Sequence, residues 1–214
     1  MFDNDGLLLD TEDAWTRAET TLFAARGAVF TPEHKRDLIG SSHTIAAAKL
    51  EAMLARPGEG VALMHELEAL VMDEAKAGVE PRPGAVDLLD ALAVAGIVVG
   101  LASNSRRAFV ELVVRSAGLL DRFAVVVTGD DVAHPKPAPD IYLEACRRLG
   151  ADPGRCVALE DSPTGIAAAR AAGMRVVGVP YLPDLDLDAD VVAASLADAP
   201  VYEALGLSAG SGSP

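Results

Sequence analysis

Four short runs of apolar residues stand out in the second half of the chain. They cover residues 97–102, 124–127, 156–159 and 175–179, and valine, leucine and isoleucine dominate them. Runs that are apolar almost throughout, without alternation of polar and apolar positions, are typical of strands buried on both faces of a parallel sheet. The pattern therefore predicts four parallel strands in this part of the chain.

Amphipathic helical patterns lie between and around these runs. They cover residues 85–95, 106–117, 139–149 and 164–172, and a glycine directly follows each of them. Glycine is the residue most common just after a helix, because it adopts the left-handed conformation that ends one. Strands and helices that alternate in this way predict an α/β fold with a doubly wound, Rossmann-like parallel sheet.

The segment from residue 11 to about residue 80 has a different pattern. It contains no strand-like run, and helical patterns cover roughly residues 11–26, 32–39, 44–55 and 61–77. We expect an all-helical cap domain, residues 12–81, inserted into an α/β core domain of residues 1–11 and 82–207. The Gly/Ser-rich residues 208–214 are expected to form a disordered tail.

Charge and composition narrow the classes of partner. The 214 residues carry a formal net charge of -14, which disfavours nucleic acid and anionic membranes as partners. A phosphorylated substrate would need local positive charge to bind to such a protein. The chain has no apolar run of about 18 residues and no basic-then-apolar leader, so we expect a cytoplasmic protein. The pattern gives no indication of oligomeric state.

Polar residues with chemical potential follow the predicted strands. Ligands of open α/β sheets bind at the carboxyl ends of the strands. The candidate residues at these ends are Asp3 and Asp5, Ser103 and Asn104, Lys136, and Glu160 and Asp161. Only Met1 and Phe2 precede Asp3, so the strand expected to carry Asp3 is unusually short.

The chemistry of these residues suggests phosphoryl transfer. Carboxylates grouped at one edge repel one another, and Mg²⁺ bound to oxygen ligands such as Asp3 and Asp161 would relieve that repulsion. One carboxylate, which we take to be Asp3, can then attack phosphorus and form an aspartyl-phosphate. Asp5 is close enough in sequence to deliver a proton to the leaving oxygen. Ser103 and Lys136 supply a hydroxyl and a cation for the phosphate oxygens.

Four segments together resemble the motifs of the haloacid dehalogenase superfamily, and they occur in the same order. The segments are Phe2–Glu12, Leu101–Ser105, His134–Asp140 and Leu159–Ile166. The helical insertion after the first motif resembles the cap of the branch that contains β-phosphoglucomutases and phosphoglycolate phosphatases. Two aspartates in the first motif favour phosphoryl transfer over dehalogenation, because the dehalogenases of the superfamily lack the second aspartate.

The resemblance implies a role for each motif residue. Asp3 would be the nucleophile and a Mg²⁺ ligand, and Asp5 the general acid/base, with its backbone carbonyl on the metal. Asp161 would be a further metal ligand, with Glu160 in or next to that set. Lys136 would bridge the nucleophile and the phosphate. Ser103 and the backbone of Asn104 would bind the transferring phosphoryl group.

Two cap positions separate a phosphatase from a mutase. β-Phosphoglucomutases have a histidine at the position of Trp15, and an arginine for the second phosphate where this chain has His43. Indole cannot act as a base, and imidazole lacks the guanidinium fork. We therefore predict a phosphatase acting on a small phosphomonoester such as a sugar phosphate or phosphoglycolate, with a β-phosphoglucomutase-like phosphomutase as the alternative. Trp15 and His43 are candidate substrate contacts, although a lone Trp on an amphipathic helix more often serves core or cap packing, and a position such as that of His43 more often belongs to the cap surface.

A non-enzymatic alternative uses similar residues. Receiver-like phosphoacceptors also combine an aspartate, Mg²⁺ and a lysine on a doubly wound sheet, and they act as switches. The helical insertion and the acid/base candidate Asp5 argue against this reading, because a switch must protect its aspartyl-phosphate from rapid hydrolysis.

Overall fold

The computed structural model describes residues 1–182 and 184–207. The predicted disordered tail, residues 208–214, lies outside the described residues. In the described part of the chain, no helix combines the length and the hydrophobicity that crossing a bilayer requires.

Four helices form the segment after the first motif. They are α1 (Glu12–Ala24), α2 (Pro32–Leu38), α3 (His43–Met53) and α4 (Gly60–Ala75). Each lies within two residues of its predicted limits, because N-caps such as Thr31 and Ser42 start the helices where the polar pattern changes. The predicted helical cap is therefore present, with α4 packed against both α1 and α3.

The remainder of the chain alternates strands and helices. In order, these are α5 (Ala85–Val94), β1 (Gly100–Ser103), α6 (Arg107–Ser116), β2 (Val125–Thr128), α7 (Asp140–Leu149), β3 (Val157–Glu160), α8 (Pro163–Ala171), β4 (Arg175–Gly178), β5 (Val191–Val192) and α9 (Ala199–Ala204). All pairings between named strands are parallel. The predicted α/β class is confirmed.

Phe2 joins two groups of strands into one sheet. It forms parallel bridges to Leu101 of β1 and to Leu159 of β3, which gives the spatial order β2–β1–Phe2–β3–β4–β5. Its amide donates to Gly100 O at 2.8 Å, and the Ala102 amide donates to Phe2 O at 2.9 Å. The short first strand is thus held from both sides, so Asp3 follows directly from the centre of the sheet.

The sheet is buried on both faces. Leu101, Leu159 and Val177 pack into a core with α5 and α6, whereas their neighbours Ala102, Ala158 and Val176 pack into a second core with α7 and α8. Adjacent residues of a strand point to opposite faces, so continuous apolar runs are needed to fill both cores. This explains why the strand pattern of the sequence does not alternate.

One predicted strand limit is wrong. The run 97–102 predicts a strand from Ile97, but β1 begins at Gly100, and Val98 is 65% exposed. Those first residues connect α5 to the sheet, and only Val99 among them accepts a hydrogen bond from the neighbouring segment, from the Ala124 amide.

The two crossings between core and cap lie side by side. Leu9 forms an antiparallel bridge with Pro81, the Asp10 amide donates to Glu80 O, and the Arg82 amide donates to Leu8 O. The domain limits at residues 11–12 and 81–82 stay a prediction, and this paired segment lies where that prediction puts the junction.

Candidate active site

The candidate catalytic residues meet at the carboxyl edge of the sheet. Asp3 follows Phe2, and its amide donates to Leu159 O at 3.1 Å. Glu160 ends β3, Asp161 follows it, and Lys136 lies in the loop before α7. All four side chains are buried. Residues far apart in sequence therefore share one small volume, as expected for the carboxyl ends of parallel strands.

Lys136 lies between two carboxylates. Its Nζ donates to Asp3 Oδ1 at 2.6 Å, to Glu160 Oε1 at 2.6 Å and to Ala102 O at 2.8 Å. Tyr142 Oη, from α7, donates to the same Glu160 oxygen at 2.5 Å. Burial alone would lower the pKa of Lys136, but the charges of Asp3 and Glu160 outweigh it and hold that pKa well above its ordinary value. Lys136 is thus kept charged beside the proposed nucleophile.

Asp161 is the carboxylate without such a partner. Among the described residues, no lysine, arginine or histidine forms an ion pair with it, although it is 3% exposed. Burial raises the pKa of Asp161 well above its ordinary value, and the charges of Asp3 and Glu160 raise it further. Burial likewise raises the pKa of Asp3, despite Lys136. The cluster thus contains three buried acidic groups and one lysine.

The donor set fits a hard divalent cation. One carboxylate oxygen from each of Asp3, Glu160 and Asp161 lies within 4.8 Å of the others. Oxygen ligands of this kind suit Mg²⁺, and a cation among them would relieve the repulsion that raises both pKa values. Glu160 Oε1 accepts from both Lys136 and Tyr142 and Asp3 Oδ1 accepts from Lys136, so the second oxygens of these carboxylates and the carboxylate of Asp161 are the better candidates for ligands.

Glycine is required where the backbone passes these carboxylates. A Cβ at Gly165 would lie 1.9 Å from the carboxyl carbon of Glu160, and a Cβ at Gly6, whose φ is +81°, would lie 2.4 Å from Asp161 Oδ2. Larger residues at these positions would displace the carboxylates. Gly6 and Gly165 thus allow the close packing of the cluster.

Four donors converge on Asp5. Its carboxylate accepts from Asn4 Nδ2 at 3.1 Å, Thr11 Oγ1 at 2.9 Å, Ser103 Oγ at 2.9 Å and Ser105 Oγ at 2.8 Å. These contacts hold Asp5 at the cavity, two residues beyond Asp3. Ser103 itself is fully buried and is not among the residues that line the cavity. In this arrangement its hydroxyl donates to Asp5 and helps to hold that side chain in place.

Asn104 links the lysine loop to the cap. Its Oδ1 accepts from the Lys136 amide at 2.8 Å, and its Nδ2 donates to Lys136 O at 3.1 Å and to Gly40 O at 3.4 Å. The side chain thereby fixes the backbone of Lys136 from both sides. The contact with Gly40 ties this loop to the segment between α2 and α3.

A cavity of about 420 Å³ lies between the cap and the sheet edge. Asp3, Asp5, Lys136 and Asp161 line its floor, and cap residues form the opposite wall. Both predicted cap contacts, Trp15 and His43, line it. Trp15 packs edge-to-face on Phe109 with ring centroids 5.5 Å apart. It therefore both packs against α6 and forms part of the cavity wall.

The cap wall contains a second buried lysine between carboxylates. Lys35 Nζ lies 2.6 Å from Glu12 Oε2 and 3.2 Å from Glu19 Oε2. Burial raises the pKa of Glu19 to about 7, partly offset by Lys35. These three side chains join α1 to α2 where both helices face the cavity.

Comparison with known proteins places this geometry in a family. The model of the haloacid dehalogenase-like hydrolases matches residues 1–173, which is most of the chain. The chain belongs to the haloacid dehalogenase-like hydrolase family. The family predicted from the four motifs is confirmed, and solved structures with the same fold include members of the predicted β-phosphoglucomutase and phosphoglycolate phosphatase branch.

Individual haloacid dehalogenase-like relatives are similar over nearly their whole length. The chain is 36% identical to protein CbbY of Rhodobacter capsulatus over 193 residues, 84% of each protein. It is 33% identical to hexitol phosphatase B of Escherichia coli over 215 residues, 96% of each. A variant of CbbY from Rhodobacter sphaeroides, crystallised with xylulose-1,5-bisphosphate, superimposes with a TM-score of 0.80 at 31% identity, covering 92% of this chain and 94% of that one.

Some residues of this haloacid dehalogenase-like site were missed by the sequence analysis. Tyr142 was counted only as part of an amphipathic helix, and Lys35 lies in a helix where lysines are usually solvated. Glu12 was noted only as the end of the first motif. Only their burial distinguishes Lys35 and Glu19 from solvated charges on a helix surface, and the sequence pattern does not reveal that burial.

Proposed function

We propose that this chain is a Mg²⁺-dependent phosphatase that hydrolyses a small phosphomonoester through an aspartyl-phosphate on Asp3. One observation carries the proposal: Lys136 Nζ lies 2.6 Å from Asp3 Oδ1 on the floor of a cavity that Asp5 and Asp161 also line. A nucleophile, a cation for phosphate oxygens, an acid/base and a metal ligand are thus within reach of one bound group.

Asp3 performs the first step. One of its carboxylate oxygens attacks phosphorus, the bond from phosphorus to the ester oxygen breaks, and the phosphoryl group is transferred to Asp3. Asp5, protonated, delivers its proton to the departing oxygen, so the product leaves as a neutral alcohol. Lys136 holds the transferring oxygens and the nucleophile together, which limits the motion needed to reach the transition state.

Water completes the cycle. Asp5 now takes a proton from a water molecule, whose oxygen attacks phosphorus, and the bond between phosphorus and Asp3 breaks. Inorganic phosphate leaves, and Asp3 is regenerated. Mg²⁺, held by Asp3, Asp161 and the Asp5 carbonyl with Glu160 beside them, would supply positive charge against the phosphate oxygens. The backbone of Asn104 belongs to the proposed phosphate site. Ser103 was predicted for the same role, but in this structure its hydroxyl donates to Asp5.

The cavity size limits the substrate class. About 420 Å³ suits a small metabolite. Sugar phosphates and phosphoglycolate-like compounds are the candidates, and the names of the relatives, a hexitol phosphatase and a protein crystallised with a sugar bisphosphate, support the phosphorylated sugars.

Hydrolysis is favoured over the two alternatives. Trp15 and His43 occupy the positions where a mutase of this branch would need a base and an arginine. This chain therefore lacks two residues that the phosphomutase reaction would require. A receiver-like phosphoacceptor would have no use for a cavity between a helical cap and its aspartate. Membership of a hydrolase family also supports turnover.

Steady turnover of p-nitrophenyl phosphate and of a panel of small phosphomonoesters tests the proposal. We expect release of phosphate that requires Mg²⁺, stops with EDTA and falls by about 10³-fold or more in Asp3→Asn. Asp121→Asn, which alters an exposed aspartate far from the cavity, should keep the wild-type rate.

The outcomes separate the alternatives. Retained activity in Asp3→Asn would overturn the assignment of the nucleophile. A single stoichiometric labelling without turnover would indicate a phosphoacceptor, and interconversion of glucose phosphates would indicate a mutase.

A further inference from the structure

Every lysine and arginine among the described residues that line the cavity is already paired with two carboxylates. These cations are Lys35, Arg106 and Lys136. Lys136 lies on the floor between Asp3 and Glu160, beside the nucleophile, and the proposed function already assigns it to the phosphoryl group being transferred. The other two determine what else the cavity can bind.

Arg106 is held at the rim by carboxylates from two elements. Its Nε lies 3.2 Å from Glu68 Oε1 of α4, and its Nη1 lies 2.8 Å from Asp130 Oδ1, which follows β2. Two of the five N–H donors of Arg106 are used in this way, and two carboxylates surround its single positive charge. A second phosphate at the guanidinium would therefore lie close to Glu68 and Asp130, whose charges repel it.

Lys35 is equally unavailable. It is buried, and its two partners, Glu12 and Glu19, are more deeply buried than Lys35 itself. These carboxylates cannot swing away into solvent to let another anion approach. An anion at this wall would meet one cation and two carboxylates.

His43 does not supply the missing charge. It stands where a mutase-like cap would have its arginine, and its Nε2 lies 3.4 Å from Glu68 Oε1. Burial lowers the pKa of His43, and the neighbouring Arg106 charge lowers it further, although Glu68 opposes both. The imidazole is therefore neutral at neutral pH and is a weak partner for a phosphate.

Apart from Ser41, Asn104 and Ser105, the rest of the wall is apolar, and the lining as a whole is acidic. Seven carboxylates line the cavity against the three cations. The apolar part of the wall includes Trp15, Ala46, Met64, Leu67, Met72 and Phe109. Such a surface can pack against the carbon skeleton of a substrate but offers no positive charge to a second anionic group.

We propose that the cavity selects phosphomonoesters of uncharged alcohols and discriminates against substrates that carry a second phosphate or a carboxylate. The proposal rests on the proposed phosphatase function and narrows it: of the two candidate classes, it favours neutral sugar or polyol phosphates and disfavours phosphoglycolate and bisphosphates. The single anionic site is the floor at Lys136. The specificity comes from carboxylates that occupy the other cations.

Matched substrate pairs test the selection. Ethylene glycol monophosphate and phosphoglycolate differ only in a hydroxymethyl group against a carboxylate, and pentanediol monophosphate and bisphosphate differ in the second phosphate. We expect kcat/KM to be about tenfold or more higher for the uncharged member of each pair. Equal values, or a preference for the more anionic member, would overturn the proposal.

A variant identifies the source of the discrimination. Glu68→Gln removes one of the two carboxylates on Arg106, so the penalty for the second anionic group should shrink by about threefold or more. Glu66→Gln is the matched control, because Glu66 lies on the same helix and pairs with Arg26 away from the cavity. An equal penalty in wild type, Glu68→Gln and Glu66→Gln would contradict the role given to Arg106 and Glu68.

Measurements of substrate binding test the proposed selectivity independently of the proposed hydrolysis. The same compounds are titrated calorimetrically into Asp3→Asn, where no turnover is expected. Tighter binding of the uncharged members supports the proposed selectivity, even if the wild-type protein hydrolyses none of them. The lack of hydrolysis would contradict only the assignment as a phosphatase. Tighter binding of phosphoglycolate or of the bisphosphate would refute the selection even if hydrolysis is observed.

Discussion

Two buried lysines face the same cavity, and each lies between two carboxylates. The floor cluster consists of Asp3, Lys136, Glu160 and Asp161, and the cap cluster consists of Glu12, Glu19 and Lys35. The Lys136 ammonium lies 2.6 Å from two carboxylate oxygens, and the Lys35 ammonium lies 2.6 Å from one. Judged by these contacts alone, the two clusters would be assigned the same role.

The floor cluster differs by one unpaired acid. Asp161 adds a third buried carboxylate that the lysine does not reach, whereas the cap cluster has no equivalent. The floor cluster also sits on strand ends and loops at the sheet edge, while the cap cluster joins the sides of two helices. An unpaired charge held in place calls for a ligand, and a lysine with two partners holds helices together. The comparison teaches that the excess of carboxylate, and not the ion pair, marks the proposed chemical site.

Removal of Lys35 should have the largest effect on stability. Lys35→Met leaves Glu12 and Glu19 buried without a cation, so we expect the free energy of unfolding to fall by about 4 kcal/mol at pH 8. The loss should be smaller at pH 5, because the uncompensated carboxylates then take up protons. Urea denaturation at both pH values measures the difference.

A surface lysine is the control for that experiment. Lys76→Met removes an exposed pair with Asp73 and should change stability by less than about 0.5 kcal/mol. A similarly small effect of Lys35→Met would show that the cap cluster does not hold α1 to α2.

Glu19 should make the stability of the cap cluster depend on pH. Burial raises its pKa from 4.5 to about 7, so the folded state binds more protons than the unfolded state between these values. The contribution of Glu19 to the free energy of unfolding is therefore fully present below about pH 4.5 and is lost as the pH rises through 7. Relative to Glu19→Gln, the wild type should lose up to about 3 kcal/mol of unfolding free energy across this window.

Glu66→Gln provides a control of opposite sign. The hydrogen bond from Arg26 lowers the pKa of Glu66, so its contribution is present above its ordinary pKa and is lost as the pH falls. If wild type and Glu19→Gln keep a constant difference in unfolding free energy from pH 4.5 to 7.5, Glu19 does not titrate as the structure indicates.

Mg²⁺ should act on the floor cluster alone. At a concentration about 30 times its Kd, the ion should stabilise the wild type by about 2 kcal/mol, visible as a rise of several degrees in Tm. Asp161→Asn should lose most of this rise, and Glu19→Gln should keep it. A rise of equal size in Asp161→Asn would remove Asp161 from the proposed metal site.

Much of the architecture could be predicted because it depends on local signals. The glycines after each helical pattern and the apolar runs between them located α5 to α8 and the four strands, with the start of β1 as an error. The short β5 and α9 were not predicted, since two valines and six residues carry too little pattern. β5 exists because it pairs with β4.

The candidate site was predicted in part, for a related reason. Strand-end residues such as Asp3, Lys136 and Asp161 are brought together by parallel topology, so their convergence follows once the strands are known. Tyr142, Arg106 and Lys35 sit within or beside helices, where the same letters usually denote packing or a solvated face. Their roles depend on which carboxylates their side chains meet in the folded protein.

The sequence by itself determined the alternation of strands and helices, the helical insertion and the motif residues, since all of these are encoded in the order and spacing of side chains. Only the tertiary structure decided which charges neutralise one another. Ion pairing depends on distances of a few ångströms between residues such as Arg106 and Glu68, 38 positions apart, and no linear pattern contains those distances. Within residues 1–182 and 184–207, that pairing leaves Asp161 without a cationic partner and places every lysine and arginine of the cavity lining beside two carboxylates.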